Sequence, residues 1–103
     1  MQFYALEKFI NLHDGYRRVF KIDHHRLLLL QEVGECHLYT AWCPHRGHPL
    51  EEADIVDGLL RCPLHGYQFS LESGELKTFT EERCRGLHQH AIVFRDTDLG
   101  VML

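Results

Sequence analysis

Apolar and polar residues alternate over short stretches along most of this chain. Phe3 to Phe9 opens it as a strand-like run, and Asn11 to Gly15 reads as a loop ending in Asp14-Gly15. Tyr16, Phe20 and Ile22 then fall on one face of an extended segment, Tyr16 to Asp23, interrupted by Arg18. Asp23 to Arg26 closes a hairpin into the run Leu27 to Val33, and Gly34-Glu35 turns the chain into Cys36 to Trp42. Such tight spacing predicts an antiparallel meander. All three prolines fall between Cys43 and Phe69, with Gly47, Gly58 and Gly66 among them. Proline fixes φ and glycine admits φ values that other residues avoid, so this stretch reads as loops of set shape around short strands. Ile55 to Arg61 predicts a hairpin turning at Asp57-Gly58, and Tyr67 to Leu71 with Glu75 to Phe79 predicts another across Ser73-Gly74. Thr80 to Gly86 is charged and irregular, His88 to Arg95 reads as a strand, and Val101 to Leu103 as a last short one. No stretch keeps a helical period over three turns; Pro49 to Asp54 reads as about one turn. The pattern predicts an all-β fold, an antiparallel sandwich or small barrel, with the middle segment inserted between two of its strands.

Composition narrows this further. The chain has 103 residues, 45% of them hydrophobic and 25% charged, which suits one globular domain spanning 1–103. That size leaves no space for a large catalytic pocket between domains. The net charge of -4, with no basic cluster, excludes a typical nucleic-acid binder. The longest apolar runs, Leu27 to Leu30 and Ala91 to Phe94, fall far short of the ~20 residues that span a bilayer. Met1 to Glu7 has neither a basic nor an apolar signal region, so a cytoplasmic, reducing compartment is expected and no membrane attachment. There, cysteines bind metal or stay as thiols.

Four cysteines and nine histidines stand out in that context. Cys43 opens Cys43-Pro44-His45-Arg46-Gly47-His48-Pro49-Leu50, and Cys62 opens Cys62-Pro63-Leu64-His65-Gly66-Tyr67-Gln68-Phe69. Each has a histidine two or three residues on; Cys36 and Cys84 do not. Two soft thiolates and two borderline imidazoles suit an iron–sulfur cluster or zinc. Cys36 reads as a small buried strand residue, Cys84 as a spare thiol, Trp42 as a core residue, and His48 as a packing or solvent-facing residue. Gly47 and Gly66 read as turn glycines that also let backbone approach a large sulfur atom.

One Cys and one His on each loop, with proline after both cysteines and glycine after the second histidine, resembles the Rieske [2Fe–2S] family. The resemblance is strong from about residue 43 to 69, which would form the cluster-binding subdomain. It implies that Cys43 and Cys62 bind one iron of a single [2Fe–2S] cluster as thiolates, and that His45 and His65 bind the other through ring nitrogen. Members in respiratory and photosynthetic complexes usually add a disulfide between the two loops, Ser and Tyr donors after the second histidine, and a membrane anchor. Here the disulfide positions hold His48 and Leu64, the donor positions hold Tyr67 and Phe69, and no anchor is visible. These departures imply the soluble, low-potential branch. Oxygenase large subunits carry a further mononuclear-iron domain, for which no residues are available. The chain is therefore similar to the Rieske ferredoxins of oxygenase systems: not an enzyme, but a monomeric one-electron carrier between a reductase and a terminal oxygenase. The small subunit of nitrite reductases, an iron- or redox-sensing regulator and a structural zinc module are the alternatives. The third loop of the family often contains proline; its counterpart here, Thr80 to Gly86, has none. His45 and His65 would lie at an exposed tip, rimmed by Pro44, Leu50, Pro63 and Leu64 with Arg46 beside them.

Overall fold

The computed structural model describes residues 1–44, 47–63 and 65–103. Among the described residues, ten strands form three antiparallel sheets, as the alternation predicts. β1 (Phe3–Lys8), β9 (Val93–Arg95) and β10 (Asp98–Met102) make one, in the order β1-β10-β9. β2 (Arg17–Ile22), β3 (His25–Glu32) and β4 (Glu35–Thr40) make the second, with β3 central. β5 (Asp54–Val56), β6 (Leu59–Arg61), β7 (Gln68–Ser70) and β8 (Leu76–Thr78) make the third, in sequence order. No helix long and apolar enough to cross a membrane is found among the described residues.

The turns follow from residues that accept positive φ. Asp57 and Gly58, at φ 52° and 75°, join β5 to β6 as predicted. The β3–β4 turn falls one residue earlier than the sequence suggests, on Val33 and Gly34 at φ 50° and 76°. A β-branched residue rarely takes that conformation. Asp14 braces it: its carboxylate accepts from the Gly34 backbone N–H at 2.8 Å and from the Gln31 amide at 3.0 Å. Those bonds, Gly34 foremost, hold the Asp14 carboxyl below the usual carboxylate range. The β9–β10 hairpin turns at Asp96, φ 55°, where no glycine marks it. Pro49 to Asp54 holds no helix: Pro49 bridges Trp42, Glu51 and Glu52 make a turn, and Asp54 begins β5.

β3 explains how the sheets pack. Leu27, Leu28, Leu29 and Leu30 are all buried, so both faces of this strand are covered. Side chains alternate across a strand. Leu27 and Leu29 join Leu38, Leu99 and Val101 in one core, against which Tyr4, Tyr16, Phe20 and Ile22 pack. Leu28 and Leu30 join Tyr39, Leu50, Leu60, Tyr67 and Phe69 in the other, which also contains Cys43 and Cys62. The first core ties β2–β4 to β1 and β10; the second ties them to the β5–β8 sheet. Arg17 reinforces the second junction by donating to the carbonyls of Glu51 and Ala53, at 3.0 and 2.6 Å. Beyond β8, the Thr40 N–H donates to the His88 carbonyl and the His90 N–H to the Leu38 carbonyl, so the expected strand at His88 is a short edge on β4. At the far end, Gln2 and Leu103 exchange both backbone hydrogen bonds, at 2.8 and 2.9 Å.

Leu28 and Leu29 are neighbours in sequence that share no core. Leu28→Val and Leu29→Val should each lower unfolding free energy by about 1–2 kcal/mol, the loss of one buried methylene plus a small cavity. Because the two side chains pack on opposite faces, urea titrations should find the double mutant additive within about 0.5 kcal/mol. A coupling well above that would mean that the two cores respond as one.

Candidate metal centre

The two Cys–His segments form loops of matching construction. The first leaves β4 through Ala41, whose N–H donates to the Arg26 carbonyl and whose carbonyl accepts from Leu50. The Cys43 N–H then donates to the His48 carbonyl at 2.8 Å, and the Gly47 N–H returns to the Cys43 carbonyl at 2.7 Å. The second loop joins β6 to β7, and there the Cys62 N–H donates to the Tyr67 carbonyl at 2.8 Å. In both, a cysteine N–H reaches the carbonyl five residues on. That closure fixes the backbone that carries each cysteine.

Closing so tight a loop requires left-handed backbone. Gly47 and Gly66 take φ 67° and 69°, and His65 takes φ 68° without being glycine. A Cβ on Gly47 would meet nothing within 4 Å, so conformation is what demands glycine at this position.

Cys43 and Cys62 are each 1% exposed, lie in the same core and form no disulfide. His65 sits at the surface, its Nε2 3.7 Å from Glu81 Oε1. His45, with Arg46 and Leu64, lies outside the described residues. The His48 ring is half-buried, and it is the His48 carbonyl that holds Cys43. Cys36 is on β4, where it packs against the core remote from the two loops and its thiol is pushed up by burial. Cys84 packs against the core that holds Cys43 and Cys62; burial, then the charge of Cys43, pushes its thiol up.

Two sequence expectations, Leu50 at the rim and Trp42 in the core, need correction. Leu50 is fully buried, because its N–H closes the first loop onto Ala41 and draws the side chain inward. Trp42 is 36% exposed and lies under the Arg26 guanidinium, 5.2 Å from the ring centroid. Alternation along the chain leaving β4 buries Ala41 and Cys43 and turns Trp42 outward. Pro63 is exposed and Pro44 half-buried.

The third loop is held by contacts that the sequence did not signal. The Tyr67 hydroxyl donates to the Glu82 carbonyl at 2.5 Å and accepts from the Glu82 N–H at 3.0 Å. The Thr80 hydroxyl donates to the His65 carbonyl at 2.8 Å. All three bonds involve backbone groups, which leave no mark in side-chain spacing.

Two thiols buried in one core on matched loops, with His65 on the second of those loops, are residue types that suit an iron–sulfur cluster, while no group of three His, Cys, Asp or Glu side chains close enough to hold a single metal ion is found among the described residues. The chain matches the family model described as the Rieske [2Fe-2S] domain over residues 2–96. It belongs to the Rieske [2Fe–2S] family. One [2Fe–2S] cluster is the cofactor of this domain. Among curated relatives, the ferredoxin component of the alkene monooxygenase system of Xanthobacter autotrophicus is 39% identical over 66 residues, covering 63% of this chain and 54% of the relative. The chain thus spans about half the length of that relative. Among solved structures, the ferredoxin of carbazole 1,9a-dioxygenase from Nocardioides aromaticivorans IC177 superposes with a TM-score of 0.79 at 17% identity, covering 98% of this chain and 97% of that one. A chain of the reduced complex between oxygenase and ferredoxin in carbazole 1,9a-dioxygenase gives a TM-score of 0.80 at 16% identity, covering 96% of this chain and 27% of that one. At these identities the structural likeness is one of fold.

The left-handed turn at Gly47 makes a sharp test. Gly47→Ala should lower stability by ~1–2 kcal/mol, the cost of placing a Cβ at positive φ. Gly47→Asn should cost less, since asparagine tolerates that region better. Equal stability of Gly47→Ala and the parent in chemical denaturation would contradict the loop geometry.

Proposed function

We propose that this protein carries single electrons from a reductase to a terminal oxygenase or similar redox enzyme, as a cytoplasmic monomer. Residues 1–103 then act as one domain, with a cluster-binding subdomain at about 43–69. Cys43 and Cys62 would hold the cluster as thiolates, and His45 and His65 through ring nitrogen. When bound, the cluster supplies a one-electron couple.

The observation that carries this reading is the pairing of two equally buried thiols with an imidazole at the surface. The core keeps water from the thiolate side, and His65 faces the side on which a partner can dock. Pro63, exposed next to Cys62, adds an apolar contact there. The excess of acidic residues, giving a net charge of -4, favours a basic partner surface and speeds encounter. A carrier must also leave, which suits a small and transient interface. The relative in the alkene monooxygenase system, named as a ferredoxin component, supports this role. So does the complex of oxygenase with ferredoxin in carbazole 1,9a-dioxygenase.

Protein purified without oxygen should be red-brown, with about two irons and two acid-labile sulfides per chain. Cys43→Ala, His45→Ala, Cys62→Ala and His65→Ala should each abolish that content, while Cys36→Ser and Cys84→Ser should keep it. About one zinc and no sulfide would sink the proposal. Reduction by a pyridine-nucleotide-dependent reductase should be fast and reversible.

The potential should lie low in the Rieske range, near roughly −150 mV. Phe69 stands where high-potential relatives place a tyrosine donor, and it has no donor to offer. A hydrogen bond to sulfur favours the reduced state, because reduction makes sulfur a better acceptor. Voltammetry giving a value near the top of the range, about +300 mV, would contradict this.

A further inference from the structure

We infer that Tyr67 and Thr80 are positioning residues that latch the third loop to the second ligand loop and thereby set how firmly the cofactor is retained. The inference rests on the proposed ligand set. Residues 79–86 belong to no strand, and they contain no proline to restrict φ. A segment of this kind has many conformations open to it unless contacts remove them.

Two hydrogen-bonding anchors do so here, at Thr80 and Glu82, on either side of Glu81, whose carboxylate lies 3.7 Å from His65. The Tyr67 ring is fully buried in the core shared with Cys43 and Cys62. Its hydroxyl uses both the carbonyl and the N–H of one residue, Glu82, so the two peptide groups that flank Glu82 are both tied to it. The Thr80 hydroxyl reaches the carbonyl of His65, the residue whose backbone sits at φ 68°. That bond holds the strained turn from outside, as the Cys62-to-Tyr67 bond holds it from within. Breaking either anchor frees the third loop and the turn that presents His65. Tyr67 thus links the two systems: its carbonyl closes the ligand loop, and its hydroxyl holds the loop beside it.

Loss of iron to a chelator proceeds through a locally opened form whose population the latch controls. In Tyr67→Phe and Thr80→Val, iron release to an excess of ferrous chelator should quicken by roughly five- to tenfold, the factor expected for removing one or two hydrogen bonds. Water reaching the site stabilises the more highly charged reduced state, so the potential should rise in both variants. A residue that only supports the fold would leave the potential unmoved. Thr80→Ser keeps the hydroxyl and should restore both the rate and the potential. Ser73→Ala removes a hydroxyl that caps the β7–β8 turn and should behave as the parent. Release within twofold of the parent in both Tyr67→Phe and Thr80→Val would overturn the latch, as would Thr80→Ser behaving like Thr80→Val. Faster release with an unchanged potential would overturn the positioning role. A parent protein that holds no iron and sulfide would instead refute the ligand set.

Discussion

Four consecutive leucines can all be buried in a strand only if both faces of that strand are covered. This constraint, set by Leu27 to Leu30, organises the molecule. Half of β3 faces a core closed by β1 and β10; the other half faces a core closed by the β5–β8 sheet. The metal centre proposed above lies in the second of these. Cys43 and Cys62 are core residues in the same sense as Leu28 and Leu60, and their burial stabilises the fold while it shields their sulfur atoms. Hydrophobic packing and ligand placement are therefore one arrangement.

Around that core, backbone does what side chains often do elsewhere. Each ligand loop closes through a cysteine N–H and a carbonyl five residues on. Left-handed residues at 47, 65 and 66 make the closure possible. These backbone bonds shape both loops, and β6 and β7 hold the second loop at its two ends. The third loop lacks such built-in shape and takes its order from Tyr67 and Thr80.

Much of this was legible in the sequence. Alternation gave the all-β class, Asp57-Gly58 gave its hairpin, and the Cys–His spacing gave the family. The rest was hidden for identifiable reasons. The turn at Val33-Gly34 depends on bonds from Asp14, a residue distant in sequence. Trp42 looked like core because of its size, yet alternation along the exit from β4 turns it outward beneath Arg26. Leu50 looked like rim because it follows the ligand motif, yet its N–H bond to Ala41 carries it inside. The anchoring of Thr80 and Glu82 ends on peptide groups, which every residue has, so no spacing rule could locate it.

The pairing of Gln2 with Leu103 bears on how such a unit is used. Two strands that begin and end side by side make the first and last described residues neighbours, at the far end of the molecule's sheet framework. A fold whose ends meet can be carried within a longer polypeptide as a self-contained excursion, because the host chain resumes almost where it left off. In the oxygenase–ferredoxin complex, the matched fold occupies 27% of a longer chain. The same ladder that seals the first core also sets β1 and β10 side by side.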